Sequence, residues 1–327
     1  MTDLSRITLL AGALAATAGS AAAGLVQSTR TALAAAPQAG TQAPGFYRRK
    51  LGSAEVTALL DGYLDITHNL WVGIEEDELK KAINSAFLPN NGQIRIGITS
   101  YLVNTGNRLI LVDSGSADLF GPTAGEFLDT LAQAGHSPDQ IDDILITHMH
   151  PDHIAALADG TKATFKNAAL HVNEDELNFW ASETNQASAP DNAKAWYTAA
   201  LNVKAAYKDR LNVFTGEPEL LTGVSAMALP GHTPGQTGYR FSFDGEELLI
   251  WGDACGVASV QFQHPEAGLI FDVDGETGKK TRARLLDMAA NEKILVASAH
   301  CPFPSFGYVD RSGPAYAWVP DEYRFGS

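Results

Sequence analysis

Four short apolar runs in this chain end in a histidine or an aspartate, and that repeated ending constrains the fold more than any other feature. ILIT runs into His148, MALPG into His232, LLIWG into Asp253 and LVASA into His300. Each run is short and apolar enough to be a buried strand. Open α/β sheets place their sites at the carboxyl ends of such strands, so the pattern suits a layered sheet protein with one functional edge. An isolated carboxylate at a buried strand end, as at Asp253, is costly, so a partner is expected there.

The first run opens the densest cluster. HMHPDH, His148 to His153, holds three of the nine histidines and an aspartate. Imidazole nitrogen and carboxylate oxygen are ligands for zinc and similar metals. Residues two apart on an extended segment point the same way, so His148 and His150 converge on one ion. Pro151 then turns the chain, and Asp152 and His153 face a second position. One segment thus begins two neighbouring metal sites, with His232, Asp253 and His300 as the candidates that complete them. His68, His136, His171 and His264 lack this setting and read as structural or surface residues.

The rest of the chain supplies the layers. EVTALL, Glu55 to Leu60, alternates like a strand and meets a turn signal at Asp61-Gly62. SYLVN and RLILV, split by Thr105-Gly106-Asn107, read as a hairpin leading into Asp113. Thr123 and Glu126 have capping-box spacing before a helix carrying Phe127, Leu128 and Leu131, which Gly135 ends. Asn173 caps a helix through Trp180, and Pro190-Asp191 starts another through Leu201. Strands then recur at 225–229, 239–243, 247–251 and 294–297, with a helix at 281–290. Alternating strands and helices with many hairpins argue for a layered α/β fold with mixed rather than purely parallel sheets.

Residues 1–36 read as an export signal: Arg6, an uncharged run from Ile7 to Thr29, and a small-residue cleavage site at Ala32-Leu33-Ala34. The expected domain is then 37–327, in the periplasm and without stable membrane association. Only Cys255 and Cys301 are present, so no disulfide framework holds the fold, and both read as small buried residues. The net charge of −15 does not steer a chain toward nucleic acid or anionic lipid, and losing residues 1–36 makes it one unit more negative. There is no Walker loop, no G-x-G-x-x-G and no G-x-S-x-G, which excludes the usual nucleotide, dinucleotide and serine-nucleophile chemistries.

HMHPDH fits the H-x-H-x-D-H signature, and with GHTPG, GD and AH downstream the chain resembles the metallo-β-lactamase superfamily. Within it, TSYLVNTGNRLILVDSG, LFGPTAG, GHTPGQT and SAHCPFP are most similar to the methyl parathion hydrolases. The resemblance implies a four-layer αββα sandwich with two divalent ions, zinc foremost and manganese, cobalt or iron also compatible. It assigns His148, His150 and His232 to one ion and Asp152, His153 and His300 to the other. Asp253 bridges both beside a hydroxide, with Asp152 and Asp253 as the catalytic carboxylates. Asp113 orients the histidine loop. Phe120, Phe179, Trp180, Trp196 and Tyr197 are the expected substrate pocket, suited to an aryl leaving group. The implied activity is hydrolysis of a small neutral ester, an aryl phosphotriester first. A lactonase or aryl carboxylesterase is the alternative, and a homodimer is implied by analogy. Many quorum-quenching lactonases of the superfamily carry tyrosine three residues after the bridging aspartate, and Gly256 stands there in this chain. A non-catalytic periplasmic metal-binding protein is the reading from a different class.

Overall fold

The computed structural model describes residues 38–324, so the export-signal reading of residues 1–36 lies outside the described residues. Of the unit Met1–Gln42, only 38–42 are described, and they form neither helix nor strand. The fold set out below is that of the unit Ala43–Ser327.

Two seven-stranded sheets carry the fold. The first is built in chain order from Phe46–Leu51, Ala54–Thr67, Gln93–Asn104, Leu109–Val112, Asp143–Leu145, Ala169–Asn173 and Leu211–Phe214. The second takes Glu219–Leu221, Val224–Ala228, Thr237–Phe243, Glu246–Ile250, Leu295–Ala297, Phe306–Ser312 and Ala315–Pro320. Both sheets are mixed. In the first, the ladders from Leu109–Val112 through Leu211–Phe214 are parallel and the hairpins before them antiparallel. In the second, one parallel ladder joins Glu246–Ile250 to Leu295–Ala297.

Period-two burial makes the layers. Ile110 and Val112 face Tyr239, Phe241, Leu248 and Ile250 in the core between the sheets. Their neighbours Leu109 and Leu111 point outward, to Phe127, Leu131, Tyr197 and Val203 of the covering helices. Leu249 and Val296 likewise face Leu285 and Leu286 of the helix Gly275–Glu292. Strands buried on both faces are apolar at every position, as LILV at 109–112 is. The result is the expected αββα sandwich. No described helix is long and apolar enough to cross a membrane.

Three expectations about local structure are corrected. The strand beginning near Glu55 does not stop at Asp61-Gly62 but runs on to Thr67 through a bulge between Leu60 and Gly62. The bulge turns Asp61 inward, where its carboxylate accepts from the Ser116 and Phe127 amides and the Ser116 hydroxyl. Asp61 therefore satisfies the first amide of the helix Phe127–Gln133, and the Thr123–Glu126 capping box does not form. The helix expected from Pro190 starts at Lys194, after an additional short helix Glu183–Ser188 that Ser182 caps. Cys255 and Cys301 are buried and unpaired.

Candidate metal centre

Five strand ends deliver the site to one edge of the sandwich. The strand Asp143–Leu145 leads to His148–His153, and its parallel neighbour Leu109–Val112 ends at Asp113. Val224–Ala228 leads to His232, Glu246–Ile250 to Asp253, and Leu295–Ala297 to His300. All five are carboxyl ends.

The seven side chains gather into two adjoining groups, His148, His150 and His232, and Asp152, His153, Asp253 and His300. Within each group every ligand atom lies within 4.8 Å of the others. In the first, His150 Nδ1 is 3.1 Å from His148 Nε2 and 3.0 Å from His232 Nε2. In the second, Asp152 Oδ2 is 3.4 Å from His300 Nε2 and 3.6 Å from His153 Nε2. Asp253 touches both groups: its Oδ2 is 3.0 Å from His300 Nε2, 3.5 Å from His232 Nε2 and 3.8 Å from His148 Nε2.

The donor set fits a pair of divalent cations. Buried polar atoms are normally hydrogen-bonded. Here His150 Nε2, His153 Nε2 and Asp253 Oδ1 are buried with no hydrogen-bond partner among the described residues. The two last are donor atoms of the second group and stand 3.4 Å apart. Three imidazoles pressed together in the first group make no stable network of their own, whereas a cation accepts all three lone pairs.

The imidazoles of His300, His153 and His232 are aimed from behind, which is how metal-binding histidines are held in one tautomer. His300 Nδ1 donates to the Gly97 carbonyl at 2.7 Å, so Nε2 is left to face the site. His153 Nδ1 lies 2.8 Å from Asp113 Oδ2, and Asp113 also accepts from the Thr147 amide and hydroxyl. Asp113 adopts φ 58°, a left-handed conformation a non-glycine residue rarely takes, consistent with strain kept at a working position. His232 Nδ1 pairs with Asp272 Oδ1 at 2.7 Å, a partner sequence reasoning missed. Asp272 lies 3.6 Å from Arg282, which is buried beneath the site and bonded to the Ala254 and Pro265 carbonyls. Nothing in IFDVDGETG marks Asp272 apart from the turn aspartates around it. Asp272→Asn should weaken metal binding at the His232 site by about 10- to 100-fold, measured by competition with a chromogenic chelator.

Charge is distributed unevenly. Burial, and then the charge on His232, holds His150 down at about 3. Burial also holds His148 well below its ordinary range. Burial opposes charge on His300 as well, but Asp253 and Asp152 outweigh it and raise His300 to about 10. His153 is raised in the same way, by Asp253, Asp152 and Asp113. Without metal, protons on His153 and His300 therefore balance the two carboxylates, and His148 and His150 stay neutral and ready to ligate.

A cavity of about 100 Å³ opens over the cluster, lined by His150, Asp152, His232, Asp253 and His300. Its walls are apolar, with Phe120, Trp196 and Phe271 most prominent. The residues of the expected pocket divide. Phe120 and Trp196 line the cavity, but Phe179, Trp180 and Tyr197 do not. Trp180 and Tyr197 stack 4.8 Å apart in the helical core, and Trp180 reaches the site only as a ring 4.9 Å from His150. Phe271 was missed because it sits in a loop with no pattern. Its ring lies 5.8 Å from that of Trp196. A larger groove, about 860 Å³ beside the helix Lys194–Ala206, contains none of the seven side chains, so size alone does not locate the chemistry.

Residues 95–300 match the family model of the Metallo-beta-lactamase superfamily. This chain belongs to that superfamily. Among solved structures it is similar to the hydrolase AbOPH of the beta-lactamase superfamily, at 30% identity and a TM-score of 0.81 over 87% of this chain and all of that one. It is also similar to AidC, a dizinc quorum-quenching lactonase solved in complex with a product, at 28% identity and a TM-score of 0.80, covering 86% of this chain and 99% of that one. Among curated proteins, an N-acyl homoserine lactonase of Bacillus cereus is 23% identical over 242 residues, 68% of this chain and 87% of its own length. Both AidC and the Bacillus cereus protein are lactonases by name. The expected likeness to methyl parathion hydrolase is corrected accordingly, and the chain is a metal-dependent hydrolase of this superfamily.

Proposed function

We propose that this protein is a dinuclear metal lactonase acting on N-acyl lactones. The observation that carries the reading is a complete set of seven ligand side chains under a small apolar cavity, in a chain whose named relatives are N-acyl homoserine lactonases. His148, His150 and His232 would hold one ion, Asp152, His153 and His300 the other, and Asp253 both. Zinc is the ion of first choice, by analogy with the dizinc relative. Such a pair supplies a water of lowered pKa and an electrophile for the carbonyl oxygen.

The chain's own groups do the rest. Phe120, Trp196 and Phe271 exclude water and hold a substrate by its apolar surface. Asp152 and Asp253 line the same cavity, so they are placed to take the proton of the attacking water and return it to the leaving alkoxide. Among the described residues, no tyrosine lines this cavity. Gly256 does, and a Cβ there would stand 3.1 Å from the His300 Cβ. A side chain at 256 would therefore crowd a ligand, and the carboxylates carry the proton work instead.

A second reading, an aryl phosphotriester, is favoured by the aromatic wall, since an aryl leaving group needs little acid help. Measured on one metal-loaded sample, kcat/KM for N-acyl homoserine lactones should exceed that for paraoxon-like esters by about 100-fold or more, a difference of about 2.7 kcal/mol in transition-state binding. A higher value for the phosphotriester would reverse the order of the two readings. Hydrolysis surviving exhaustive chelation would remove both.

A further inference from the structure

Glu176 is almost fully buried, at 1% exposure, and is not among the residues that line the cavity over the cluster. Its Oε1 accepts the Met149 amide at 2.8 Å and its Oε2 the Gly235 amide at 3.0 Å. Met149 lies between His148 and His150, and Gly235 is in the loop that carries His232. These two loops leave different sheets, and their histidines are 82 residues apart in sequence. One carboxylate thus joins both halves of the first metal-binding group behind its ligands. The approach is close: a Cβ on Gly235 would stand 2.3 Å from the Glu176 amide and 2.5 Å from Asn173 Oδ1, so only glycine lets the His232 loop reach this helix. One turn further along, Trp180 packs against the His150 ring. Burial raises the Glu176 carboxyl to about 7, opposed by its amide donors, so the group is kept at an electrostatic cost and wants a reason.

We infer that Glu176 is a positioning residue that fixes the distance between the His148–His150 loop and the His232 loop, and so tunes one metal site of the pair. The requirement for a carboxylate follows from the donors. Two amides converge on the side chain from opposite loops, and only a carboxylate offers each of them an acceptor oxygen. Glutamine fills the same volume but turns an N–H toward one amide, which breaks one of the two joints. The Asp152, His153 and His300 ligands have no bond to Glu176, so the effect is confined to one site.

The inference rests on the metal-centre reading only in its metal arm, and the experiment separates the two. Wild type, Glu176→Gln and Gly235→Ala are titrated with Zn²⁺ by equilibrium dialysis, and amide exchange is followed in the metal-free proteins. Wild type should bind two ions. Each variant should bind one ion as tightly as wild type and the other about 10- to 100-fold more weakly. In Glu176→Gln the Met149 or Gly235 amide should exchange at least about tenfold faster. A merely structural role would weaken both sites or neither. Wild-type affinity at both sites together with unchanged exchange in Glu176→Gln overturns the inference. Should wild type itself bind fewer than two ions, the metal reading fails, and the exchange arm still decides the joint. Should Glu176→Gln not fold, Gly235→Ala pushes the same joint from its other side, and equal affinities there overturn the inference.

Discussion

Replacing Asp253 with alanine should lower kcat/KM by at least about 1,000-fold in a protein that still folds. The size of the loss follows from what this carboxylate touches. It reaches ligand atoms in both groups, at 3.0 Å from His300, 3.5 Å from His232 and 3.8 Å from His148. On the proposed assignment, removing any histidine would cost one ion one ligand, whereas removing Asp253 would cost both ions a ligand. Lewis-acid stabilisation by such ions is worth several kcal/mol, and each 1.36 kcal/mol is tenfold in rate. Folding should survive because the sandwich core lies in Ile110, Tyr239, Leu248 and their neighbours, none of which leans on Asp253. The charge change is also tolerable: His153 and His300 hold raised affinities for protons because of the carboxylates, and with one gone they shed charge rather than remain unpaired. The check is a steady-state assay at saturating Zn²⁺, with circular dichroism on the same sample. His264→Ala, which alters a histidine paired only with Glu266, serves as the control and should leave kcat/KM unchanged. An Asp253→Ala protein within tenfold of wild type would mean that the two groups do not work as one centre.

The ligands were legible because each announces itself locally. A short apolar run fixes a strand, and the first residue of a chemical type that cannot be buried alone marks its end. His148, His232, Asp253 and His300 all obey this rule, and the layers follow from period-two burial of the same runs. Residues that act on the ligands from behind have no such signature. Glu176 stands beside Glu174 and Asp175 in the first turn of a helix, where acidic residues are expected for the helix dipole alone, and only tertiary packing selects the third for burial. Asp272 and Asp61 sit in sequences that read as turns; one orients His232 and the other caps a helix across a bulge. The aromatic pocket was half legible for a similar reason. Trp196 and Tyr197 are neighbours on one helix, so they point about 100° apart, and sequence does not say which faces the metals. Trp196 does, while Tyr197 stacks on Trp180 in the core.

The pH dependence should run in opposite directions with and without metal. His300 is raised from 6.5 to about 10 in the folded, metal-free chain, so its contribution to stability is fully present below pH 6.5 and is lost as pH rises toward 10. Asp152 is lowered from 3.8 to about 2, so its contribution is present above pH 3.8 and is lost as pH falls toward 2. His148 and His150 are lowered by burial, so their contribution is present above pH 6.5 and is lost as pH falls below it. The metal-free protein should therefore be most stable near pH 6.5 and lose stability steadily through pH 8 and 9. Metal binding follows the reverse course. An ion in the second group must displace the protons that balance Asp152 and Asp253, on His153 and His300. Each proton released makes the apparent affinity rise about tenfold per pH unit, so two make it rise about 100-fold per unit below the lower of the two raised values. The thermal gain on adding Zn²⁺ should accordingly be small at pH 5.5 and large at pH 8. Calorimetric titration at pH 7 in buffers of different ionisation enthalpy should count close to two protons released for the second-group ion. In the first group, His148 and His150 are already neutral and should contribute close to none. A thermal gain independent of pH, or a heat of binding that does not change with the buffer, would show that the two raised histidines do not carry the protons assigned to them.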